Sequence, residues 1–345
     1  MKLIIQIPCL NEEAILPETL ADLPREVDGF DAVEWLVIDD GSTDATTDVA
    51  RECGVDHVVR FNANKGLAVA FQAGLDTALK LGADVIVNTD ADNQYRGEEI
   101  PKLVKPILAH TADVVVGDRR IREQREFSPM KKFLQLWGSW VVRQASGTDV
   151  PDAASGFRAY SREAALRLNV VSSFSYTLET LIQAGKTDLA VAHVPIETNP
   201  RTRESHLFRS TAQYLRRSVA TILRIYAMHE PLRVFLSLAA VVALGGVVLV
   251  GRVVWVYFTQ PGPTGHLQSL IIGGVLLVFA VQLAVLGVLA DLVRANRILA
   301  ERSLHRLRKI ELQLGVSPDS LPDRQLDIPP GAAGSRGRVG ETAQS

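Results

Sequence analysis

Two long apolar stretches constrain this chain more than any other feature. "VFLSLAAVVALGGVVLVGRVVWVYF" (Val234 to Phe258) and "LQSLIIGGVLLVFAVQLAVLGVLADL" (Leu267 to Leu292) each reach the roughly 20 residues that a bilayer core requires. Hydrophobic core helices of a soluble protein are the alternative, but such helices seldom stay apolar on every face for so long. Between the stretches lies "TQPGPTGH", a turn-forming segment without Lys or Arg, so the pair reads as a helical hairpin. Basic residues gather outside it: Arg216, Arg217, Arg224 and Arg233 before, and Arg294, Arg297, Arg302, Arg306, Arg308 and Lys309 after. The positive-inside rule then places both termini on the cytoplasmic side. Arg252 interrupts the first stretch near its far end, where Trp255 and Tyr257 suggest an interfacial belt to which its guanidinium snorkels. A functional charge within the membrane is the sharper alternative.

Ahead of the hairpin, β-rich runs alternate with helical patterns. "LIIQIP" (Leu3 to Pro8), "VEWLVIDD" (Val33 to Asp40), "VDHVVRF" (Val55 to Phe61), "DVIVNTD" (Asp84 to Asp90) and "DVVVGD" (Asp113 to Asp118) read as strands, with "AVAHVPIETNP" (Ala190 to Pro200) as the last strand and its exit. The first four are nearly continuous apolar segments separated by helical stretches such as "GLAVAFQAGLDTALKLG" (Gly66 to Gly82). That alternation predicts an α/β domain over residues 1–200, with a mainly parallel sheet covered on both faces. Polar residues collect at the carboxyl ends of the strands: Asn11 and Glu12, Asp39 and Asp40, Asp90 and Asp92, Asp118 and Arg119. In an open α/β sheet that edge is where ligands bind.

Residues 201–232 place apolar positions at helical spacing among arginines, predicting a basic amphipathic helix at the membrane surface. The transmembrane pair occupies residues 233–292, residues 293–315 read as a cytoplasmic basic helix, and residues 316–345, rich in Pro and Gly, as a disordered tail. A formal charge of -2 argues against a general nucleic-acid binder. Cys9 and Cys53 form no CxxC pair, which suggests buried thiols in a reducing compartment. The apolar part of "MKLIIQIPC" is too short for a signal peptide and reads as a first strand, so the front of the protein is expected in the cytoplasm.

"VIVNTDADNQY" (Val85 to Tyr95) ends an apolar run in two aspartates one residue apart. On an extended segment, side chains at i and i+2 point the same way, so Asp90 and Asp92 can share one hard cation whose other positions go to water and a nucleotide diphosphate. A polar loop capping an ordinary strand is the plainer reading.

Taken in order, "IPCLNEE" (Ile7 to Glu13), "VIDDGSTD" (Val37 to Asp44), "NANKGLAVAFQAGL" (Asn62 to Leu75), "TDADNQY" (Thr89 to Tyr95), "VVGDRR" (Val115 to Arg120) and "DAASGFRAYSREA" (Asp152 to Ala164) resemble the inverting family 2 glycosyltransferases of GT-A fold. Within them the chain is most similar to the polyprenyl-phosphate (dolichol-phosphate) sugar synthases, including the GtrB-like members with two C-terminal membrane helices. The resemblance covers roughly residues 1–295. It implies a donor nucleotide site lined by Pro8, Asn11, Glu12, Asp39, Asp40, Lys65 and Asp90, and Mg2+ or Mn2+ held by Asp90 and Asp92 on the diphosphate. It also implies Gln94 close to the transferred sugar, with Arg119, Asp152, Ser155 and Arg158 where sugar and acceptor phosphate meet. Ionic or capping roles are the plainer readings for Asp40 and Arg158, and an exposed loop lysine for Lys65. Where family members carry Arg-x-x-Gly-x-Ser-Lys, this chain reads Arg201-Thr-Arg203-Glu204-Ser205-His206. Arg201, Arg203 and Ser205 are carried over as acceptor-phosphate residues without the glycine and lysine.

These implications describe an integral protein of the cell inner membrane with a cytoplasmic catalytic domain. It would transfer one sugar from a UDP- or GDP-linked donor to an undecaprenyl, decaprenyl or dolichyl phosphate. Asp152 would be the catalytic base or would orient Arg158 or the sugar. A processive polysaccharide synthase on the same fold would carry a Gln-x-x-Arg-Trp motif and further membrane helices, and neither is in the sequence. A non-catalytic membrane partner would not need the acidic pair, and a dinucleotide-binding dehydrogenase would need a GxGxxG after the first strand. Gly245, Gly246, Gly273 and Gly274 are candidates for packing between subunits, which makes a homo-oligomer the expected assembly.

Overall fold

The computed structural model describes residues 1–120, 138–140, 142–144, 146–170, 176–187, 189–200, 230–259, 267–315 and 324–327. The strands are β1 (Lys2–Cys9), β2 (Ala32–Asp39), β3 (His57–Phe61), β4 (Val85–Asn88), β5 (Val114–Asp118), β6 (Arg158–Ser161), β7 (Val191–Pro195) and β8 (Arg324–Asp327). They form one sheet in the order β7-β5-β6-β4-β1-β2-β3-β8. β1 pairs in parallel with β2 and β4, β2 with β3, and β5 with β7.

The predicted strands are present and the sheet is mainly parallel. Two strands were not expected. β6 runs antiparallel between β4 and β5; at four residues, with Arg158 at its start, it lacks the apolar run that marks its neighbours. β8, from the tail expected to be disordered, pairs antiparallel with β3.

Helices cover both faces: α1 (Leu16–Asp22), α2 (Thr46–Glu52), α3 (Leu67–Lys80), α4 (Ile100–Leu108), α5 (Arg162–Arg167) and α6 (Tyr176–Lys186). Successive β1 side chains point to opposite faces. Leu3, Ile5 and Ile7 therefore join Leu16, Leu20, Leu103 and Ile107 in one core, while Ile4 joins Leu36, Phe71, Leu75 and Tyr160 in the other. Burial on both faces explains why the central strands read as unbroken apolar runs rather than alternating ones.

The chain divides into two units, residues 1–219 with 305–345, and residues 220–304. In the second unit, α7 (Pro231–Thr259) and the first part of α8 (Leu267–Gln313) are long and apolar enough to cross a membrane. Only 11% and 22% of their most apolar windows are buried, unlike core helices of a soluble protein. Trp255 and Tyr257 are exposed. A Cβ placed on Gly246 would lie 3.0 Å from the Gly273 carbonyl, and one on Gly273 would lie 3.1 Å from the Gly246 carbonyl. These two glycines thus let the two helices of one chain approach closely, while a Cβ on Gly274 would meet nothing.

The basic helix expected over residues 293–315 is not separate, because α8 runs unbroken for 47 residues. Its end packs within the first unit, where Arg308 donates to the Leu168 carbonyl (3.0 Å) and pairs with Asp76 (3.2 Å). The amphipathic helix expected over residues 201–232 lies almost wholly outside the described residues.

At Gly74, α3 comes down onto the sheet: a Cβ there would fall 2.4 Å from Gln6 Oε1 and 2.9 Å from Ile38. Gly74→Ala gains about 1 kcal/mol of helix propensity but incurs about 1–3 kcal/mol of overpacking. The full-length protein in detergent is expected to melt a few degrees lower by circular dichroism. An unchanged or higher midpoint would contradict this packing.

Candidate active site

The parallel strands β1, β2 and β4 all end at one edge of the sheet, and the loops that follow them carry most of the polar residues singled out in the sequence. After β4 the chain turns, passing through Asn93 at φ 54. The extended geometry expected for the acidic pair is thus replaced by a turn, in which Asp92 Oδ1 accepts from the Gln94 amide at 3.1 Å. Ala91, Asn93 and Tyr95 point inward and are buried, while Asp90, Asp92 and Gln94 stay partly exposed. The turn therefore presents all three expected residues together.

Below Asp90 lies a polar network that the sequence reading missed. Gln6 and Asn88 are partners in register on β1 and β4, and Gln6 Nε2 donates to Asn88 Oδ1 at 2.8 Å. Asn88 Nδ2 in turn donates to the Gly156 carbonyl (2.9 Å) and to the Tyr176 hydroxyl (3.0 Å). The Gly156 amide donates to the Tyr95 hydroxyl at 3.0 Å, and Tyr95 stacks on Phe157 at 5.0 Å. Burial pushes the Tyr95 phenol up to about 12, so it remains protonated. A Cβ on Gly156 would lie 3.0 and 3.1 Å from the two Asp90 oxygens. Only glycine leaves that space open. The available signal was a polar residue inside each of two apolar strands, Gln6 in "LIIQIP" and Asn88 in "VIVN".

The donor-side residues mostly bind one another's loops. Asp39 is fully buried; its carboxylate accepts from the Ser42 amide (2.7 Å) and the Thr47 hydroxyl, with Arg60 at 3.5 Å. Asp40 accepts from the amides of Lys65 (2.7 Å) and Gly66 (2.8 Å), fastening the approach to α3. Burial raises the pKa of Asp40 even so. Asn11, at φ 55, receives the Thr43 amide at 2.9 Å and donates its own amide to Ser42 Oγ. The Glu12 amide donates to Thr46 Oγ1, Pro8 is buried in β1, and Lys65 is exposed with Nζ 5.3 Å from the Phe61 ring.

Arg119 and Asp152 form a buried two-pronged pair, Nε to Oδ2 at 2.6 Å and Nη2 to Oδ1 at 2.9 Å. Both Asp152 oxygens are therefore engaged, by Arg119 rather than by Arg158. Arg158 is completely buried and donates to the carbonyls of Ser155, Thr177 and Ala153 and to Thr180 Oγ1, each at 2.8 Å. Four of its five N–H donors thereby join the loop before β6 to α6. Ser155 is buried with its hydroxyl unpartnered among the described residues. Arg201, Arg203 and Ser205 lie outside the described residues.

Partial burial and repulsion from Asp92 raise Asp90 to about 7. Two neighbouring carboxylates beside a space kept open by Gly156 suit a divalent cation, which would relieve that repulsion. Among the described residues no three His, Cys, Asp or Glu side chains are grouped to hold a metal, so the remaining ligands would come from water and a bound phosphate. Because the folded-state pKa of Asp90 exceeds the unfolded value of about 3.9, the folded state binds the extra proton. Stability from this group is full below about pH 4 and is lost as pH rises through 7. With EDTA at pH 8, Asp90→Asn is expected to melt higher than the wild type by about 2–4 °C, and the gap should close towards pH 4. An Asn variant that melts lower at pH 8 would contradict the stored repulsion.

The sequence profile of Glycosyl transferase family 2 matches residues 4–168. The chain is 31% identical over 217 residues to the UDP-N-acetylglucosamine–dolichyl-phosphate N-acetylglucosaminyltransferase of Methanococcus voltae, covering 56% of this chain and 83% of that protein. It is 30% identical over 206 residues to the undecaprenyl-phosphate mannosyltransferase of Micrococcus luteus, covering 57% and 83%. Among solved structures, glucosyl-3-phosphoglycerate synthase from Mycobacterium tuberculosis in complex with Mn2+, UDP-glucose and phosphoglyceric acid matches with a TM-score of 0.52 at 23% identity, over 66% of this chain and 80% of that one. This is a likeness of fold and agrees with the GT-A expectation. With the acidic turn at the carboxyl edge of a mainly parallel sheet and relatives of this similarity, the chain belongs to glycosyl transferase family 2.

Proposed function

We propose that this glycosyltransferase moves a single sugar from a UDP- or GDP-linked donor to a polyprenyl phosphate at the cytoplasmic face of the inner membrane, with inversion at the anomeric carbon. One combination carries the reading: a paired-carboxylate turn at the ligand-binding edge of the sheet, in a chain that also has two helices long enough to cross a bilayer. It is supported by relatives named for dolichyl and undecaprenyl phosphate acceptors, and by a structural neighbour solved with Mn2+ and UDP-glucose.

A lipid phosphate monoester, with a second pKa of about 6, is largely ionised at neutral pH and needs no strong base to attack. The chain's work is to align two anions and to exclude water. In this proposal Asp90 and Asp92 hold Mg2+ or Mn2+, which when bound neutralises the departing nucleoside diphosphate. Gln94, carried on the same turn, faces the sugar. Arg119 meets the acceptor phosphate, its guanidinium aimed by Asp152. Asp152 is thus an orienting carboxylate and not a base, since both of its oxygens already accept charged hydrogen bonds. Arg158 supports the loop that carries Ser155, and Ser155 offers its hydroxyl to the site. Pro8, Asn11, Glu12, Asp39, Asp40 and Lys65 shape the nucleotide pocket, Asp39 and Asp40 by bracing its loops. Arg201, Arg203 and Ser205 are proposed to complete the acceptor site.

Incubation of the purified protein with a polyprenyl phosphate and labelled UDP- and GDP-sugars should yield an organic-soluble labelled product from one donor. EDTA should abolish it and Mg2+ or Mn2+ restore it; failure of every donor would overturn the reading. Asp92→Asn is expected to lose about 10²–10³ in kcat, as removal of one electrostatic stabiliser commonly does. Asp152→Asn is expected to lose activity yet keep the shape of the pH–rate profile. Loss of the acid limb in that variant would restore the base role.

A further inference from the structure

We propose that Asn199, at the exit of β7, is a positioning residue that holds the Asp92–Gln94 turn in its cation-binding shape; the inference rests on the cation reading of Asp90 and Asp92. The turn depends on Asn93 at φ 54, left-handed backbone that asparagine tolerates better than most non-glycine residues. Contacts on two sides hold it there. On one side Asn93 Nδ2 donates to Glu18 Oε1 of α1 at 2.9 Å. On the other, Asn199 Nδ2 donates to the Asn93 carbonyl at 3.1 Å and stands 3.5 Å from its Oδ1, while the Asn199 amide donates to the Gln94 carbonyl at 2.9 Å.

The strap continues on either side of Asn199. Tyr95 and Thr198 form an antiparallel bridge, and Arg96 pairs with Glu197 at 2.8 Å. Residues 197–199 thus run alongside residues 93–96, satisfying the carbonyls that the turn leaves out of the sheet. Pro200 follows directly and biases Asn199 towards an extended backbone, so the strap is shaped before it meets the turn. Among the described residues, Asn199 is the side chain whose amide reaches both the carbonyl and the side-chain oxygen of Asn93.

Mn2+ titration of the full-length protein, read by the electron paramagnetic resonance of free Mn2+, tests this directly. Asn199→Ala is expected to weaken Mn2+ binding about tenfold, the scale of outer-shell partners of metal ligands. In turnover it should raise the Mn2+ concentration needed for half-maximal rate while leaving kcat at saturating Mn2+ within about threefold. Asn199→Leu, close in size but without the donor, should match Asn199→Ala and covers the case in which the smaller side chain disturbs folding. If both variants bind Mn2+ within twofold of wild type, even with a lower melting temperature, the role is merely structural and the proposal is overturned. If the wild type binds no Mn2+, the cation reading itself fails and this inference falls with it.

Discussion

Repulsion between Asp90 and Asp92 is the constraint around which the rest of the site is arranged. Two carboxylates at the end of a buried strand are unfavourable unless something opposes their charge, and burial pushes one of them to about 7. The fold tolerates this because it supplies no side chain at Gly156, where one would press against Asp90. It also fixes the backbone on both sides of the pair. Gln6 and Asn88 carry polar groups through the sheet to hold the Gly156 carbonyl, and the Tyr95 hydroxyl holds its amide. The result is an acidic turn braced by the protein's own hydrogen bonds, the kind of preorganisation on which electrostatic catalysis relies.

Two buried arginines show how the same side chain serves different ends. Arg119 is neutralised by one carboxylate through a bidentate contact and lies at the edge of the site. Arg158 instead gives four of its donors to three carbonyls and a hydroxyl. A buried charge is costly unless its hydrogen bonds are met, so those four acceptors are a condition of Arg158 being inside at all. They also tie β6, the loop before it and α6 into one block behind Asp90.

Much of this was legible in the sequence because burial on both sheet faces leaves unbroken apolar runs, and β1 to β5 each carry one. β6 was not legible, since a four-residue strand beginning with Arg158 has no such signature and its antiparallel placement comes from neighbours distant in the chain. The acidic pair was recognised, but its geometry was misjudged. An i, i+2 argument assumes extended backbone, and the left-handed Asn93 that converts it into a turn is held by Glu18 and Asn199, contacts that no local pattern encodes. Asp39 and Asp40 stood out as paired charges at a strand end. Asp40 takes the amides that lead into α3, in line with the plainer capping reading, whereas Asp39 braces its own loop through the Ser42 amide and the Thr47 hydroxyl, a role that no local pattern encodes. The glycines of the hairpin were visible as small residues, whereas their pairing within one chain required the helix register.

In the proposed function a lipid phosphate is the acceptor, and a direct displacement by that phosphate carries a stereochemical signature. The most direct measurement is NMR of the lipid-linked product formed from an α-linked nucleotide sugar. The account predicts one sugar per lipid in β linkage to the phosphate. An α-linked product, or a lipid carrying a polymer of sugars, would contradict it.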